Sequence, residues 1–194
     1  MRAIAGFGIS DALADAALRC IARWGLAKTT LEDVAREAGQ SRATVYRAFP
    51  GGGKDALFAA LADRELTRLT DAVGEAIGAT DDVEDAVVTA VTVVARHLEG
   101  HGAFRFLLAH EPGLVLPHLA FHELDLLLAR VRAVGGPMLA RFLPSREAAE
   151  LAEWIARFVV SHLCSPAAGV QLTDDASVRR LVRAFVLPGL PVPA

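Results

Sequence analysis

Cysteine is scarce in this sequence, and every long apolar stretch is interrupted by charge. The 194 residues include two cysteines, Cys20 and Cys164, which lie far apart in apolar patterns. They predict reduced core thiols rather than a disulfide framework. The sequence has no run of about eighteen apolar residues, so no membrane-spanning helix is expected. The N-terminus lacks the basic start and the cleavage site of a signal peptide, and we expect a cytoplasmic protein.

Motifs of the common enzyme classes are also missing. The sequence contains no Gly-x-Ser-x-Gly, no His-Glu-x-x-His, no phosphate-binding glycine loop and no paired-cysteine motif. Ser161 and His162 are neighbours on a predicted helix, so they point apart and make a poor nucleophile and base. We therefore expect no enzymatic activity and no cofactor. Two other functions remain as alternatives to the one developed below: a small enzyme that does not bind DNA, and a helical adaptor that binds only protein.

Charge is unevenly divided along the chain. The net charge of −3 argues against a protein that coats nucleic acid with its whole surface. Residues 1–70 hold ten Lys/Arg and eight Asp/Glu, whereas residues 71–194 hold ten and fifteen. A slightly basic N-terminal part on an acidic body is compatible with DNA binding confined to the N-terminal part.

Apolar residues recur at helical spacing, and strand alternation is nowhere sustained. Ser10 is placed to cap a first helix, Thr30 and Asp33 resemble the capping box of a second, and residues 42–49 form a third. The apolar stripe of the first helix consists of Leu13, Ala16, Ala17, Cys20, Ile21 and Trp24.

The rest of the chain predicts further helices, with breaks at Pro112-Gly113 and Gly135-Gly136-Pro137. They cover residues 54–79, 82–99, 103–110, 117–134, 145–164 and 175–187. The predicted fold is all-α with about nine helices. A three-helix helix-turn-helix domain, residues 1–53, would precede a helical domain for ligand binding and dimerisation, residues 54–194.

The second and third helices have helix-turn-helix proportions, with Gly39 in the turn between them. Val45 and Phe49 are four residues apart and share an apolar face, which leaves the polar side chains of the third helix exposed. Guanidinium groups can bind guanine edges or phosphates, and hydroxyls can bind phosphate oxygens. From the pattern alone, an ordinary surface helix is the alternative to a recognition helix.

Residues 29–58 closely resemble the DNA-binding region of the TetR family of transcriptional regulators. Three features carry the resemblance: the Thr-hydrophobic-x-x-Val-Ala helix that begins at Thr30, the Gly-x-Ser-x-x-Thr-hydrophobic-Tyr-x-x-Phe segment over residues 39–49, and Lys54 opening the next helix. With the first helix it covers roughly residues 10–65. It implies a ligand-responsive regulator, expected to be a repressor, that binds a pseudo-palindromic operator as a homodimer.

The resemblance also assigns DNA contacts to particular positions. Thr30 and Ser41 would meet phosphate at helix N-termini, Arg42 and Thr44 would contact bases, and Lys54 would reach phosphate. Three glycines before that lysine make a looser connection than is common in the family. The expected DNA-binding residues are Thr30, Gln40, Ser41, Arg42, Ala43, Thr44, Tyr46, Arg47 and Lys54. Of these, Tyr46 and Arg47 on the recognition helix would bind the DNA backbone.

The last two long helices carry apolar stripes, and the resemblance implies that they pair across a dimer axis. The expected interface residues are Leu151, Ile155, Val159, Leu163, Val178, Leu181, Val182 and Phe185. The alternative is that both stripes face the core of their own subunit.

A region dense in Phe, Leu and His predicts an apolar ligand cavity. The expected pocket residues are Phe104, Leu107, Leu108, His110, Phe121, His122, Leu128, Trp154 and Phe158. The effector would be apolar and lipid-like, and would act by moving the fourth helix. His97/His101 and His118/His122 have the i, i+4 spacing that metal ligands can use, but surface or pocket histidines are the simpler interpretation, and no metal site is predicted.

Overall fold

The computed structural model describes residues 10–49, 53–119 and 124–190, and this part of the chain contains helices and no strand. Its ten α-helices are α1 Asp11–Trp24, α2 Leu31–Glu37, α3 Arg42–Ala48, α4 Gly53–Gly78, α5 Val83–Gly100, α6 Gly102–His110, α7 Pro112–Leu119, α8 Leu124–Leu139, α9 Ser145–Cys164 and α10 Asp175–Leu181. A π-helical turn, Val182–Val186, and a 3-10 turn, Leu187–Gly189, follow α10. The all-α prediction is confirmed.

The described residues divide into two compact units. The first contains the residues up to Thr67 together with His101–Leu116, so that α6 belongs to the same unit as α1, α2 and α3. The second contains Arg68–Gly100 together with the residues from Pro117 onward. These units are defined by packing. The predicted boundary between residues 53 and 54 separates DNA binding from ligand binding and dimerisation instead, and it stays a prediction.

The core of the first unit is built on α1. Ser10 caps this helix, since its Oγ accepts a hydrogen bond of 3.4 Å from the backbone N–H of Leu13. The first five residues of the predicted stripe are at most 2 % exposed, but Trp24, the last residue of the helix, is 42 % exposed. Helix α6 packs along α1, and Leu107 contributes a buried side chain.

The core of the second unit lies between α5, α8, α9, α10 and the π-helical turn. Glu84 of α5 binds Arg179 of α10 and Arg183 of the turn, with nitrogen–oxygen distances of 2.7 and 2.8 Å. Arg141, which follows α8, donates to the carbonyl oxygen of Ile77 at the end of α4. These contacts tie the ends of three helices to the apolar centre of the unit.

The predicted break near Pro112 is confirmed, since α6 ends at His110 and α7 begins at Pro112, but the predicted break at Gly135-Gly136-Pro137 is wrong. Pro112 is the first residue of α7, a position where a proline loses no helical hydrogen bond. Helix α8 continues through Gly135 and Gly136 to Leu139. A Cβ on Gly136 would lie 3.2 Å from the Cα of Ala149 in α9, so the glycine serves close helix packing rather than a turn.

The two cysteines differ in their environment. Cys20 is fully buried in α1, and burial raises the pKa of its thiol above the usual value. Cys164 is the last residue of α9 and is exposed, so the prediction of a core thiol is wrong at that position. None of the described helices is long and apolar enough to cross a bilayer.

Candidate DNA-binding surface

Helix α2 begins with a complete capping box. The Thr30 Oγ1 accepts a hydrogen bond of 3.1 Å from the backbone N–H of Asp33, and the Asp33 carboxylate accepts one of 3.1 Å from the backbone N–H of Thr30. The Thr30 hydroxyl also donates to the same carboxylate at 2.6 Å. Thr30 is exposed, and its own hydroxyl proton is held within the box.

The turn between α2 and α3 depends on Gly39. Its φ is +63°, the left-handed region that favours glycine. This conformation lets the backbone N–H of Gln40 donate to the carbonyl of Ala35 at 2.9 Å, which closes the end of α2. Gln40 is half-buried in the turn.

Helix α3 has one buried face and one open face. Ser41 caps it, since its Oγ accepts a hydrogen bond of 3.2 Å from the backbone N–H of Thr44. Val45 is 0 % exposed and Phe49 is 4 % exposed, so these two residues anchor the helix as predicted. The exposed residues are Ser41, Arg42, Ala43, Thr44, Tyr46 and Arg47. This face carries two guanidinium groups, three hydroxyls and a methyl group, a set that suits binding to DNA.

A hydrogen bond joins α3 to α2. The Tyr46 hydroxyl donates to the Glu32 carboxylate at 2.7 Å, although Tyr46 is 50 % exposed. The bond lowers the pKa of Glu32, with a smaller contribution from the charge of Arg42. The same bond raises the pKa of Tyr46. At neutral pH the carboxylate is therefore ionised and the phenol protonated.

Lys54 is drawn toward the connection between α1 and α2. Its Nζ donates to the carbonyl oxygen of Leu26 at 3.2 Å and to that of Ala27. From α6–α7, the Glu111 carboxylate accepts from the backbone N–H groups of the same two residues, at 2.9 Å and 3.2 Å. The lysine is half-buried, and its expected contact with phosphate stays a prediction.

Two residues of this surface were not anticipated. Glu32 stands in the first turn of α2, where an acidic residue is explained by the helix dipole alone. Its partner Tyr46 is fourteen residues away in the chain, and no periodicity connects them. Glu111 is 85 residues from Leu26, and a lone glutamate before a proline gives no signal of such a contact.

A family comparison identifies what the N-terminal helices are similar to. A model of bacterial regulatory proteins of the tetR family matches residues 13–61, which cover α1, α2, α3 and the start of α4. Residues 13–61 are therefore similar to the N-terminal, DNA-binding part of the TetR family. The expectation of a helix-turn-helix region like that of bacterial regulatory proteins is thereby confirmed for these residues.

Several solved structures share the fold of this chain at low sequence identity. The repressor AlkX from Dietzia sp. strain DQ12-45-1b, implicated in biodegradation of n-alkanes, is 22% identical over 90% of this chain and 92% of its own, with a TM-score of 0.67. The fatty acid degradation regulator FadR from Bacillus halodurans is 18% identical over 94% and 96%, with a TM-score of 0.62. The multidrug binding protein EbrR, complexed with imidazole, is 20% identical over 94% and 95%, with a TM-score of 0.57. No curated protein matches the sequence.

The expected pocket residues fall into both units. In α6 of the first unit, Leu107 is buried, Phe104 and Leu108 are half-buried, and His110 is exposed. The rings of Phe106 and His110 lie 4.6 Å apart. Phe121 and His122 lie outside the described residues.

The other expected pocket residues lie in the second unit. Leu128 of α8 is 3 % exposed and belongs to the core. Trp154 and Phe158 of α9 stack on each other, with ring centroids 5.2 Å apart and an angle of 6° between the planes. Trp154 is 39 % exposed, so this stack reaches the surface of the unit.

Most of the expected dimer residues lie inside the second unit. Five of the eight are at most 6 % exposed and pack within the core of the subunit itself; they are Leu151, Ile155, Val159, Val178 and Val182. Leu163 and Leu181 are half-buried, and Phe185 is 76 % exposed. A helical stripe has the same spacing whether it faces its own core or a second subunit, so the sequence pattern did not separate the two.

Within the described part of the chain, no three His, Cys, Asp or Glu side chains lie close enough together to bind a metal ion. His101 instead caps α6, since its Nδ1 accepts a hydrogen bond of 3.0 Å from the backbone N–H of Phe104. Its Nε2 lies 3.4 Å from the Glu65 carboxylate. His122 of the second pair lies outside the described residues.

Proposed function

We propose that this protein is a TetR-family regulator that represses transcription by binding a pseudo-palindromic operator as a homodimer, and that an apolar, lipid-like molecule releases it. The observation that carries the proposal is the two-faced recognition helix. Val45 and Phe49 fix α3 in the first unit, while Arg42 and Thr44 stand exposed at its N-terminal end. That end enters the major groove in helix-turn-helix proteins.

The dimer follows from the small reach of one recognition helix. Each good bidentate base contact contributes about 1–3 kcal/mol of discrimination, which is less than the competing sites of a genome demand. Two helices related by a two-fold axis would read half-sites about one helical turn apart, or a little more.

The dimer contact is proposed on the exposed part of the second unit. Five expected interface residues are buried in the subunit's own core, so they are not open to a partner. Exposed aromatic side chains remain on the same unit: Trp154 of α9 and Phe185 of the π-helical turn. Exposed aromatics are enriched in protein interfaces. We centre the proposed contact on Phe185, because Trp154 is assigned to the proposed pocket.

An apolar effector is supported by the composition of α6 and α9 and by the relatives. AlkX is implicated in n-alkane biodegradation and FadR regulates fatty acid degradation, while EbrR binds multiple drugs. The first two descriptions concern compounds with apolar chains, and the third concerns a protein that binds varied drugs. The proposed pocket uses the expected residues of the second unit, Leu128 of α8 and Trp154 and Phe158 of α9, within a functional domain that spans residues 54–194. The DNA-binding domain is proposed to span residues 1–53, and because its proposed substrate is genomic DNA, we propose that the protein lies in the cytoplasm.

Selection from a random duplex library with the purified protein tests the operator proposal. We expect enrichment of a two-fold symmetric sequence, and binding of that sequence as a dimer in native mass spectrometry. Enrichment of an asymmetric sequence by a monomer would refute the dimeric mode, and no enrichment would refute operator binding.

Release is tested on the selected operator by fluorescence anisotropy. Palmitic acid and palmitoyl-coenzyme A are the probes, and glucose is the polar control. We expect an acyl probe, but not glucose, to lower operator affinity. If both acyl probes leave the affinity unchanged, the lipid-like effector is refuted while operator binding stands.

A further inference from the structure

We infer that Glu32 and Tyr46 form one acceptor unit that reads the amino group of a cytosine or an adenine in the major groove, so that Glu32 is a specificity-determining residue. The inference rests on the proposed operator binding and deepens it. It assigns a role to a residue of α2 and changes the expected role of Tyr46 from phosphate binding to base recognition. One contact carries it, the hydrogen bond of 2.7 Å between the two side chains.

The direction of that hydrogen bond determines what Tyr46 can offer to DNA. A phenol has a single proton, and this proton is donated to the Glu32 carboxylate. The Tyr46 oxygen can therefore accept a hydrogen bond from DNA, but cannot donate one without leaving Glu32. Phosphate oxygens only accept hydrogen bonds, so a phosphate is a poor partner for this oxygen.

The charge of Glu32 points the same way. The carboxylate lies 2.7 Å from the Tyr46 hydroxyl, so a phosphate bound at that hydroxyl would stand beside a second negative charge. Like charges at such distances repel each other. An exocyclic amino group is neutral and donates hydrogen bonds, which suits both the phenol oxygen and a free lone pair of the carboxylate.

Only two bases present such a donor in the major groove. Cytosine offers its N4 amino group and adenine its N6 amino group, whereas guanine and thymine offer acceptors at the corresponding positions. The neighbouring Arg42 is a donor and suits guanine. The surface therefore combines a donor side chain on the first turn of α3 with an acceptor pair one turn later, and each would read a different base.

The pair is set up before DNA binds. Tyr46 is exposed on α3, while Glu32 is half-buried on α2, so the tether fixes an exposed aromatic ring from a second helix. The hydrogen bond holds the pKa of Glu32 below its usual range and raises that of Tyr46. Both groups therefore stay in the acceptor arrangement at neutral pH.

The test compares the wild type, Tyr46→Phe and Glu32→Gln on the selected operator and on every single-base-pair variant of it. We expect Tyr46→Phe to lose about three- to ten-fold of discrimination at one base pair of each half-site, the worth of one hydrogen bond. Glu32→Gln should relax the same base pair. Glu37→Gln is the matched control, since it also removes a carboxylate from α2. The partners of that carboxylate are Arg19 and Arg23 of α1, so this variant should keep the wild-type base preference.

A base analogue gives a second readout, in which the change is made in the DNA and not in the protein. Replacing the recognised adenine by purine, or the cytosine by 2-pyrimidinone, removes only the amino group. The wild type should lose about three- to ten-fold in affinity, and Tyr46→Phe should lose none. Circular dichroism melts verify that each variant is folded.

Several outcomes would overturn the inference. A Tyr46→Phe protein that is weakened equally on all sequences, with a smaller salt dependence, would show a phosphate contact. An unchanged base preference in Glu32→Gln would remove Glu32 from recognition. If the wild type selects an operator and Arg42→Ala binds it more weakly, while Tyr46→Phe and Glu32→Gln keep the wild-type profile, this inference alone fails. If the wild type selects no sequence, the proposed function fails with it.

Discussion

Glu111 and Leu26 are 85 residues apart in the chain, yet the Glu111 carboxylate accepts a hydrogen bond of 2.9 Å from the backbone N–H of Leu26. The same carboxylate accepts from the backbone N–H of Ala27, and Lys54 donates to the carbonyl oxygens of both residues. Gly25 precedes them with a φ of +82°, and a Cβ there would collide with the Glu111 carboxylate. The connection between α1 and α2 is thus held by charged side chains from two other segments of the first unit.

Removing the Glu111 carboxylate should loosen this connection. We expect Glu111→Ala to lower the free energy of unfolding by about 1–2 kcal/mol, because hydrogen bonds from two backbone N–H groups to a charged acceptor are lost. Hydrogen exchange followed by mass spectrometry should show faster exchange over Leu26 and Ala27. Glu99→Ala, at an exposed position of α5, is the control and should change neither quantity. Unchanged exchange in Glu111→Ala would contradict the role given to this carboxylate.

Arg42 is expected to act in DNA binding without contributing to stability. It is exposed at the start of α3, so Arg42→Ala should change the free energy of unfolding by less than about 0.5 kcal/mol. Loss of a base contact should cost about 1–3 kcal/mol of operator binding, measured by fluorescence anisotropy. Arg146→Ala removes the same charge from α9, where the side chain is 83% exposed, and should leave operator affinity unchanged. Equal operator affinity of the Arg42 variant and the wild type would exclude a base contact.

Close packing of α8 on α9 predicts a large effect of a single added side chain. The Cβ of any residue at position 136 would lie 3.2 Å from both the Cα and the Cβ of Ala149. Gly136→Leu should therefore lower the free energy of unfolding by about 1–3 kcal/mol, since the helices must separate. Gly100→Leu is the control, because a Cβ at that position meets nothing within 4 Å. Equal stability of the two variants would show that α8 and α9 can part without cost.

Local features of this fold could be predicted because they depend on neighbours in sequence. The Ser41 hydroxyl caps α3 through Thr44, three residues away, and the Thr30–Asp33 box spans the same distance. The burial of Val45 and Phe49 follows from their spacing of four. The same reasoning fails for Glu111 and Leu26, whose contact depends on how α6 packs against α1.

Patterns that allow two environments could not be resolved from the sequence. Ile155 and Val159 form a stripe at helical spacing, and such a stripe fits a subunit core as well as a dimer contact. The structure places them in the core, at 6 % and 1 % exposed. Gly135-Gly136 likewise fits a turn or a close helix contact, and only the position of Ala149 distinguishes them.

Phe185 is the strongest candidate for a side chain that a second subunit covers. It is 76 % exposed in the π-helical turn, and burying a charge in its place would be unfavourable. We expect Phe185→Glu to raise the dimer dissociation constant at least about ten-fold, equivalent to about 1.4 kcal/mol, in sedimentation equilibrium. Leu114→Glu, at a 40 % exposed position of α7, is the control and should stay dimeric. Two variants with the same dissociation constant as the wild type would place the contact elsewhere.

The ion pairs of Glu84 predict how stability depends on pH. Glu84 accepts hydrogen bonds from Arg179 and Arg183, and these bonds hold its pKa below the usual value of 4.5. A carboxylate with a lowered folded-state pKa stabilises the fold above its ordinary pKa, and this contribution disappears as the pH falls through the lowered value. Glu84→Gln should therefore be less stable than the wild type at pH 7, by about 1 kcal/mol for a surface ion-pair network.

That difference between wild type and Glu84→Gln should shrink as the pH is lowered below 4.5, because the wild-type carboxylate then becomes neutral as well. Urea unfolding at several pH values measures it. Val182→Ala is the control, since Val182 is 2 % exposed in the same unit and carries no titratable group, so its stability loss should be the same at each pH. A Glu84→Gln difference that stays constant on acidification would mean that the ion pairs add no net stability, and that the glutamate acts through packing alone.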